Sequence, residues 1–155
     1  TNGQPPLLVM LDGIQDPHNL GAIARTADAA GAHGLIIPER RAVGITAGAV
    51  RASAGALEHV KVSRVTNLNR TIERLKETGM LVVGLDAEGD VEYTEADYKG
   101  PLLIVIGSEG NGLSRLVREN CDQIASIPMA GKLSSLNASV SAGLVLYEAF
   151  RQRRA

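Results

Sequence analysis

The chain has 155 residues, is 45% hydrophobic and 21% charged, and so fits one soluble globular domain rather than two independent cores. Sixteen Lys and Arg stand against 17 Asp and Glu, for a net charge of -1, and the aromatics are three Tyr, one Phe and no Trp. That balance argues against a domain held on nucleic acid by bulk positive charge or by stacking bases on aromatic platforms, while a local basic patch stays open. The single Cys121 excludes an internal disulfide framework and a Cys-based zinc cage, and no metal is expected. No apolar run approaches the roughly 20 residues needed to span a bilayer, and no signal peptide is expected. No membrane partner is therefore expected, and a reducing cytoplasm is the expected compartment.

Thr1–Pro6 reads Thr-Asn-Gly-Gln-Pro-Pro, which is linker composition. Residues 1–6 are expected to be a linker remnant and 7–155 the folded unit, a piece of a longer protein. Leu7–Leu11 is a continuous apolar run, as in a strand buried on both faces. Asp12 to His18 is rich in turn residues, and Asn19 is a plausible N-cap for a helix carrying Leu20, Ile23, Ala24, Ala27 and Ala30, stopped by Gly31. Leu35–Ile37 predicts a short strand ended by Pro38, and Thr46 to Leu57 has helical spacing interrupted by Gly. Val60–Val65 predicts a strand, Asn67 caps a helix through Lys76, and Met80–Leu85 predicts another strand. Leu102–Ile106 is the most apolar strand, Ser114–Asn120 predicts a helix, and Gln123–Ile127 a strand. A final helix runs from near Asn137 to about Arg153, with Val140, Gly143, Leu144, Tyr147 and Phe150 as its apolar stripe. Six alternations of apolar strand and helix predict an α/β fold: a mostly parallel six-stranded sheet with helices on both sides. Ligands in such folds sit at the carboxyl ends of strands.

Three loops at strand ends can carry chemistry. The first, Asp12 to Asn19, leads into the helix bearing Arg25. The second, Gly107-Ser108-Glu109-Gly110-Asn111-Gly112, nearly has phosphate-loop spacing, but Leu113 stands where the phosphate-binding Lys is required, so an NTPase is disfavoured. It is not a dinucleotide fingerprint either. What remains is a backbone that a ligand can approach closely, with Glu109 at its centre; a plain strand-to-helix turn is the competing account. The third, Pro128 to Asn137, places Ser134, Ser135 and Asn137 before a helix, where Ser135 or Asn137 can equally be a cap. Arg25 sits in an Ala-rich helix, where a solvated Arg is the ordinary outcome. His18, His33 and His59 have no partner at triad or metal spacing, and Cys121 reads as a small buried hydrophobe. Arg40, Arg41, Arg151, Arg153 and Arg154 form local basic clusters, able to meet phosphates or only solvated.

Taken together, the three loops are far more specific. Asn19-Leu20-Gly21-Ala22-Ile23-Ala24-Arg25-Thr26-Ala27 resembles the first motif of the SpoU (TrmH-type) branch of the SPOUT RNA methyltransferases. Ile104-Val105-Ile106-Gly107-Ser108-Glu109-Gly110 resembles the second, and Ile127-Pro128-Met129 through Ser135-Leu136-Asn137-Ala138-Ser139-Val140 the third. Pro38 to Gly44 and the Ala-Ser-Ala-Gly-Ala run at 52–56 look most like the RlmB-type subgroup, which methylates the 2′-hydroxyl of a guanosine in 23S ribosomal RNA. Such enzymes usually carry a small N-terminal RNA-binding domain, and none precedes residue 7 in this chain.

The resemblance implies a deep trefoil knot near the C-terminus, which general topology rules would exclude. It implies S-adenosylmethionine as cofactor, with S-adenosylhomocysteine as product, held near Leu85, Gly107, Ile127, Met129 and Leu136. It implies a homodimer with the last helix at the interface. It assigns Arg25 the central catalytic role, with Asn19, Glu109, Ser135 and Asn137 orienting it, the ribose and the loops. The family role proposed for this arginine is a base. A guanidinium pKa above about 12 makes that demanding, and a phosphate clamp that stabilises developing negative charge is preferred. Transfer RNA methylation, a resistance-type ribosomal RNA methylation, and a non-catalytic RNA-binding or assembly module of the same fold are the rival expectations.

Overall fold

A computed structural model describes residues 3–39, 55, 59–133 and 135–155. The expected helix over Thr46–Leu57, the pair Arg40 and Arg41, and Ser134 lie outside or largely outside these residues. Seven strands form one sheet: β1 (Leu7–Asp12), β2 (Gly34–Pro38), β3 (Lys61–Val65), β4 (Leu81–Leu85), β5 (Val91–Glu92), β6 (Leu102–Gly107) and β7 (Gln123–Ser126). Their order is β3-β2-β1-β6-β4-β7-β5, and every pairing is parallel. The described helices are α1 (Pro17–Ala29), α2 (Leu68–Glu77), α3 (Arg115–Asn120) and α4 (Ala138–Arg153).

The sheet therefore has one strand more than the six expected. The addition, β5, is two residues long and pairs Val91 and Glu92 with Ala125 and Ser126 of β7. Two residues carry no periodicity, so only pairing with a neighbour identifies them as a strand.

The continuous apolar strands are explained by burial on both faces. Leu7, Val9 and Leu11 of β1, with Leu102, Ile104 and Ile106 of β6, join Leu20, Ile23, Ala24 and Ala27 of α1 and Val145, Leu146 and Ala149 of α4 in one core. Met10, Leu103 and Val105 point the other way and meet Ile72 of α2 and Val117 of α3. The alternation of side chains along each strand divides the apolar residues between two helix layers. Each fully buried Leu or Ile contributes about 1.5–3 kcal/mol relative to exposure.

One local expectation is corrected, and one left open by the sequence is decided. The N-cap of α1 is Asp16, not Asn19: the Asp16 carboxylate accepts from the His18 amide at 2.8 Å, and Pro17 occupies the first helical position. Proline is pre-set for that position, so the helix starts one turn earlier. In α4 the buried side is Ala138, Ala142, Val145, Leu146 and Ala149, whereas Val140, Leu144 and Tyr147 are 51%, 37% and 47% exposed. Small residues face α1 because the two helices pack closely: a Cβ on Gly143 would lie 3.8 Å from Thr26 Cγ2. The larger residues are left on the outer face.

Candidate functional site

Parallel pairing brings the carboxyl ends of β1, β4, β6 and β7 to one edge of the sheet. A cavity of about 580 Å³ opens there, between the segment after β4, the loop after β6, the end of β7 and the approach to α4. Its walls are partly apolar, from Leu85, Ile106, Ile127 and Leu136, and partly backbone from the 107–113 loop.

The loop after β6 is tightly wound. Ser108 and Gly112 form an antiparallel bridge, with the Gly112 amide donating to the Ser108 carbonyl at 2.8 Å. The fold leaves no room for a side chain at Gly107, where a Cβ would stand 2.4 Å from the Gly112 carbonyl carbon and 2.6 Å from the Leu113 nitrogen. Gly112 has a φ of +65°, and a Cβ there would reach 2.6 Å from an Asp86 carboxylate oxygen. Leu113, at the position a phosphate-loop lysine would need, is buried beside Val117 in the core.

Glu109 is more than a turn residue. One carboxylate oxygen accepts from Asn137 Nδ2 at 2.8 Å and from the Ala138 amide at 3.4 Å, joining the second loop to the third. Asn137 also caps α4, its side-chain oxygen accepting from the Ser139 and Val140 amides at 2.9 and 3.3 Å. One residue thus ends the loop, starts the helix and holds Glu109.

Of the residues singled out from sequence, Leu85, Gly107, Ile127, Met129 and Leu136 all line this cavity, together with Glu109 and Ser135. Asn137 reaches it through Glu109. Asn19, half-buried in the first turn of α1, and Arg25, exposed further along the same helix, are not part of its lining. Thr26, next to Arg25, packs on α4 near Gly143.

Three residues that the sequence did not single out organise the walls. Asp86, just past β4, accepts from the Leu113 amide at 3.2 Å and from the Glu88 amide at 3.1 Å, and pairs with Arg118 at 3.2 Å. Arg118 also donates to the Glu88 carbonyl at 3.0 Å. Asp12, the last residue of β1, accepts from the Ser114 amide and hydroxyl at 2.8 and 2.9 Å. The available signal was an acid directly after an apolar strand.

Other candidates have structural partners. The His33 Nδ1 accepts from the Leu7 amide at 3.0 Å, tying the entry of β2 to β1. Burial pushes the Cys121 thiol up to about 12, with the nearby Asp122 carboxylate adding to the shift. Its sulfur lies where a Cβ on Gly84 would touch it, at 2.7 Å, which makes it a packing residue. The C-terminal arginines are not simply solvated: Arg151 forks onto Glu148 at 2.9 and 2.7 Å, Arg153 donates to the carbonyls of Pro5, Tyr98 and Gly100, and Arg154 lies 5.4 Å from the Phe150 ring centre. Among the described residues no group of three or more His, Cys, Asp or Glu is placed to hold a metal ion, and no helix is long and apolar enough to cross a membrane.

Comparison with known proteins agrees with this architecture. The chain is 56% identical over 150 residues to YacO of Bacillus subtilis, a TrmH family tRNA/rRNA methyltransferase by name, covering 97% of this chain and 60% of that protein. Its structure superposes on the SpoU methyltransferase AviRb from Streptomyces viridochromogenes in complex with the cofactor AdoMet, with a TM-score of 0.90, 39% identity, and coverage of 97% of this chain and 62% of that one. A solved RNA 2′-O ribose methyltransferase gives a TM-score of 0.89 at 32% identity, over 99% of this chain and 58% of that one. The chain thus spans about three-fifths of the length of these relatives. Residues 6–147 match the model of the SpoU rRNA Methylase family, and the chain belongs to that family.

Proposed function

We propose that this chain is the catalytic unit, over residues 7–155, of an S-adenosylmethionine-dependent RNA 2′-O-ribose methyltransferase, with a guanosine of 23S ribosomal RNA as the preferred target. The observation that carries the reading is that five residues separated in sequence, Leu85, Gly107, Ile127, Met129 and Leu136, line one cavity. Its volume, about 580 Å³, is that of a small-molecule pocket. The donor set suits the cofactor: apolar side chains for an adenine, exposed loop backbone for hydroxyls, and the Glu88 and Glu109 carboxylates for positive charge. The AdoMet complex of AviRb supports the same assignment.

Bound S-adenosylmethionine would supply a methyl group on a positively charged sulfur, open to in-line displacement by the 2′-oxygen, with S-adenosylhomocysteine as the leaving group and the hydroxyl proton passing to solvent. The chain's task is then to orient the nucleophile and stabilise charge, and positioning alone contributes up to about 7–11 kcal/mol in ideal intramolecular cases. Arg25, exposed on α1 and outside the lining of this chain's own cavity, serves in a site shared with the second subunit of the homodimer, as a phosphate clamp and as a stabiliser of negative charge growing on the 2′-oxygen. Asn19, half-buried in the first turn of the same helix, helps orient Arg25 and the ribose. Glu109 and Asn137 hold the second and third loops together, and Ser135 faces the cavity between them. The Glu109–Asn137 contact also supports the knot implied by the family motifs. After β7, on the far side of β4, the chain returns past the 107–113 loop to pack α4 on α1.

Charge distribution supports an RNA substrate despite the net charge of -1. Asp86, Glu88, Asp90, Glu92, Glu95 and Asp97 are six of the 17 acids, and outside that stretch Lys and Arg exceed Asp and Glu by five. The exposed Val140, Leu144 and Tyr147 support a homodimer through α4. The 23S preference rests on the RlmB-like segments at 38–44 and 52–56.

The test is calorimetric titration with S-adenosylmethionine, followed by methyl transfer onto separate 23S and transfer RNA pools with mapping of the modified nucleotide. Cofactor uptake and a 2′-O-methylguanosine in 23S RNA are expected. Tight RNA binding without cofactor uptake identifies a non-catalytic module instead, and transfer confined to transfer RNA moves the substrate.

A further inference from the structure

Between Gly107 and Arg115 the chain contributes little apolar anchorage: Leu113 alone is buried, and Ser108 to Gly112 are small or polar. Such a segment needs an external support to hold one shape. It has two. The amide of Leu113 donates to Asp86 at 3.2 Å, and the next amide, that of Ser114, donates to Asp12 at 2.8 Å. The two carboxylates come from opposite sides, because β6, which feeds the loop, lies between β4 and β1. Asp86 stands just past the end of β4, and Asp12 ends β1.

Each support is itself secured. Asp86 is only 14% exposed at its side chain, accepts from the Glu88 amide at 3.1 Å, and is paired with Arg118 at 3.2 Å. Asp12 holds Ser114 twice, through the amide and through the hydroxyl at 2.9 Å. Bonds from an amide to a carboxylate are charge-assisted and short-range, so they fix position well. Ser114 is also the N-terminal flank of α3, whose Arg118 amide bonds its carbonyl at 2.9 Å, so the same contacts set where that helix begins.

We propose that Asp12 and Asp86 are positioning residues for the cofactor, which act by holding the exit of the Gly107–Ser114 loop in its binding shape before the ligand arrives. The proposal rests on the cofactor reading above. The loop forms one wall of the cavity, from Gly107 through Leu113. A loop fixed beforehand spares the ligand the entropy of ordering it, and that saving appears as affinity.

The experiment compares the wild-type chain with Asp86→Ala, Asp12→Ala and Asp86→Asn, each checked for folding by circular dichroism. S-adenosylmethionine affinity is read by calorimetry, and KM and kcat by methyl transfer. Each alanine variant is expected to bind the cofactor about tenfold more weakly, the equivalent of one charge-assisted hydrogen bond. The loss should fall on the KM for S-adenosylmethionine rather than on kcat or on the KM for RNA. Asp86→Asn keeps one acceptor oxygen for the Leu113 amide but turns its amide nitrogen toward the Glu88 amide and loses the charge that pairs with Arg118, so it should recover only part of the affinity. Wild-type affinity in both folded alanine variants would overturn the proposal. Should the variants fail to fold, amide hydrogen exchange on the ligand-free wild type decides. Leu113 and Ser114 amides already protected support a preset loop, and amides protected only after ligand addition refute it. A wild-type chain that takes up no S-adenosylmethionine refutes the cofactor reading instead, and the exchange measurement still reports separately on the loop.

Discussion

Gly107→Ala tests the architecture of the cavity directly. The new methyl group would stand 2.4 Å from the Gly112 carbonyl carbon, 2.5 Å from its oxygen and 2.6 Å from the Leu113 nitrogen. All three atoms are backbone, so no rotamer change relieves the contact, and the loop must move by about an ångström to reach ordinary van der Waals separation. Overpacking of this kind costs about 1–3 kcal/mol. In a domain of this size, about 2–4 °C of melting temperature is lost per kcal/mol, so a fall of several degrees is expected. Because the displaced atoms line the cavity, cofactor affinity should fall with stability. Gly131→Ala is the control, since nothing lies within 4 Å of its Cβ position and its φ is not left-handed. There the substitution should be neutral or stabilise by up to about 1 kcal/mol through the unfolded chain. Thermal melts of both variants, with and without S-adenosylmethionine, make the comparison. A Gly107→Ala protein with unchanged melting temperature and unchanged cofactor affinity would refute the packing described for the loop.

Arg25→Ala should lower methyl transfer by about 10²–10³-fold, as expected for loss of a charge-stabilising group, while cofactor affinity measured by calorimetry stays near wild type. Full activity in that variant would remove Arg25 from the mechanism. Asn137→Ala removes the cap of α4 and the donor to Glu109, and urea unfolding should show a loss of about 0.5–2 kcal/mol. Hydrogen bonds from Arg151, joined by Gln152, hold the buried Glu148 carboxyl below the usual range, against the opposing effect of burial. A lowered carboxyl contributes stability that is complete above the ordinary Glu value of about 4.3 and is lost as pH falls through the folded value. Denaturation midpoints of Glu148→Gln should therefore fall less steeply below about pH 4.3 than those of wild type. The Cys121 thiol, with its pKa pushed up to about 12, should resist a thiol reagent at neutral pH and react once the chain is unfolded in urea. Rapid labelling of the folded chain would contradict the raised pKa of this half-buried thiol.

Much of the strand and helix sequence was legible because the signal was local. Leu7–Leu11 and Leu102–Ile106 are apolar without alternation, and only burial on both faces rewards that pattern. Asn67 capped its helix as expected, its side chain accepting from the Arg70 amide at 3.1 Å. Asn19 did not cap α1, because Asp16 with Pro17 made a better start one turn earlier. The orientation of α4 was not legible either. Its Ala-rich and its large-residue faces are both apolar, and the nearby α1 decides which is buried.

The sequence by itself determined an α/β chain of alternating strands and helices, with three loops of a kind that can meet a ligand. Leu85, Gly107, Ile127, Met129 and Leu136 span 52 positions from first to last, and no periodicity relates them. Only parallel pairing, with β6 set between β1 and β4 and β7 beyond β4, brings them around one cavity. The same pairing places Asp12 and Asp86 on either side of the loop after β6, although Asp12 and Ser114 are 102 residues apart. Contacts of that range are set by strand order, which local preferences do not encode, so the carboxylates that secure the loop became visible only in the folded chain.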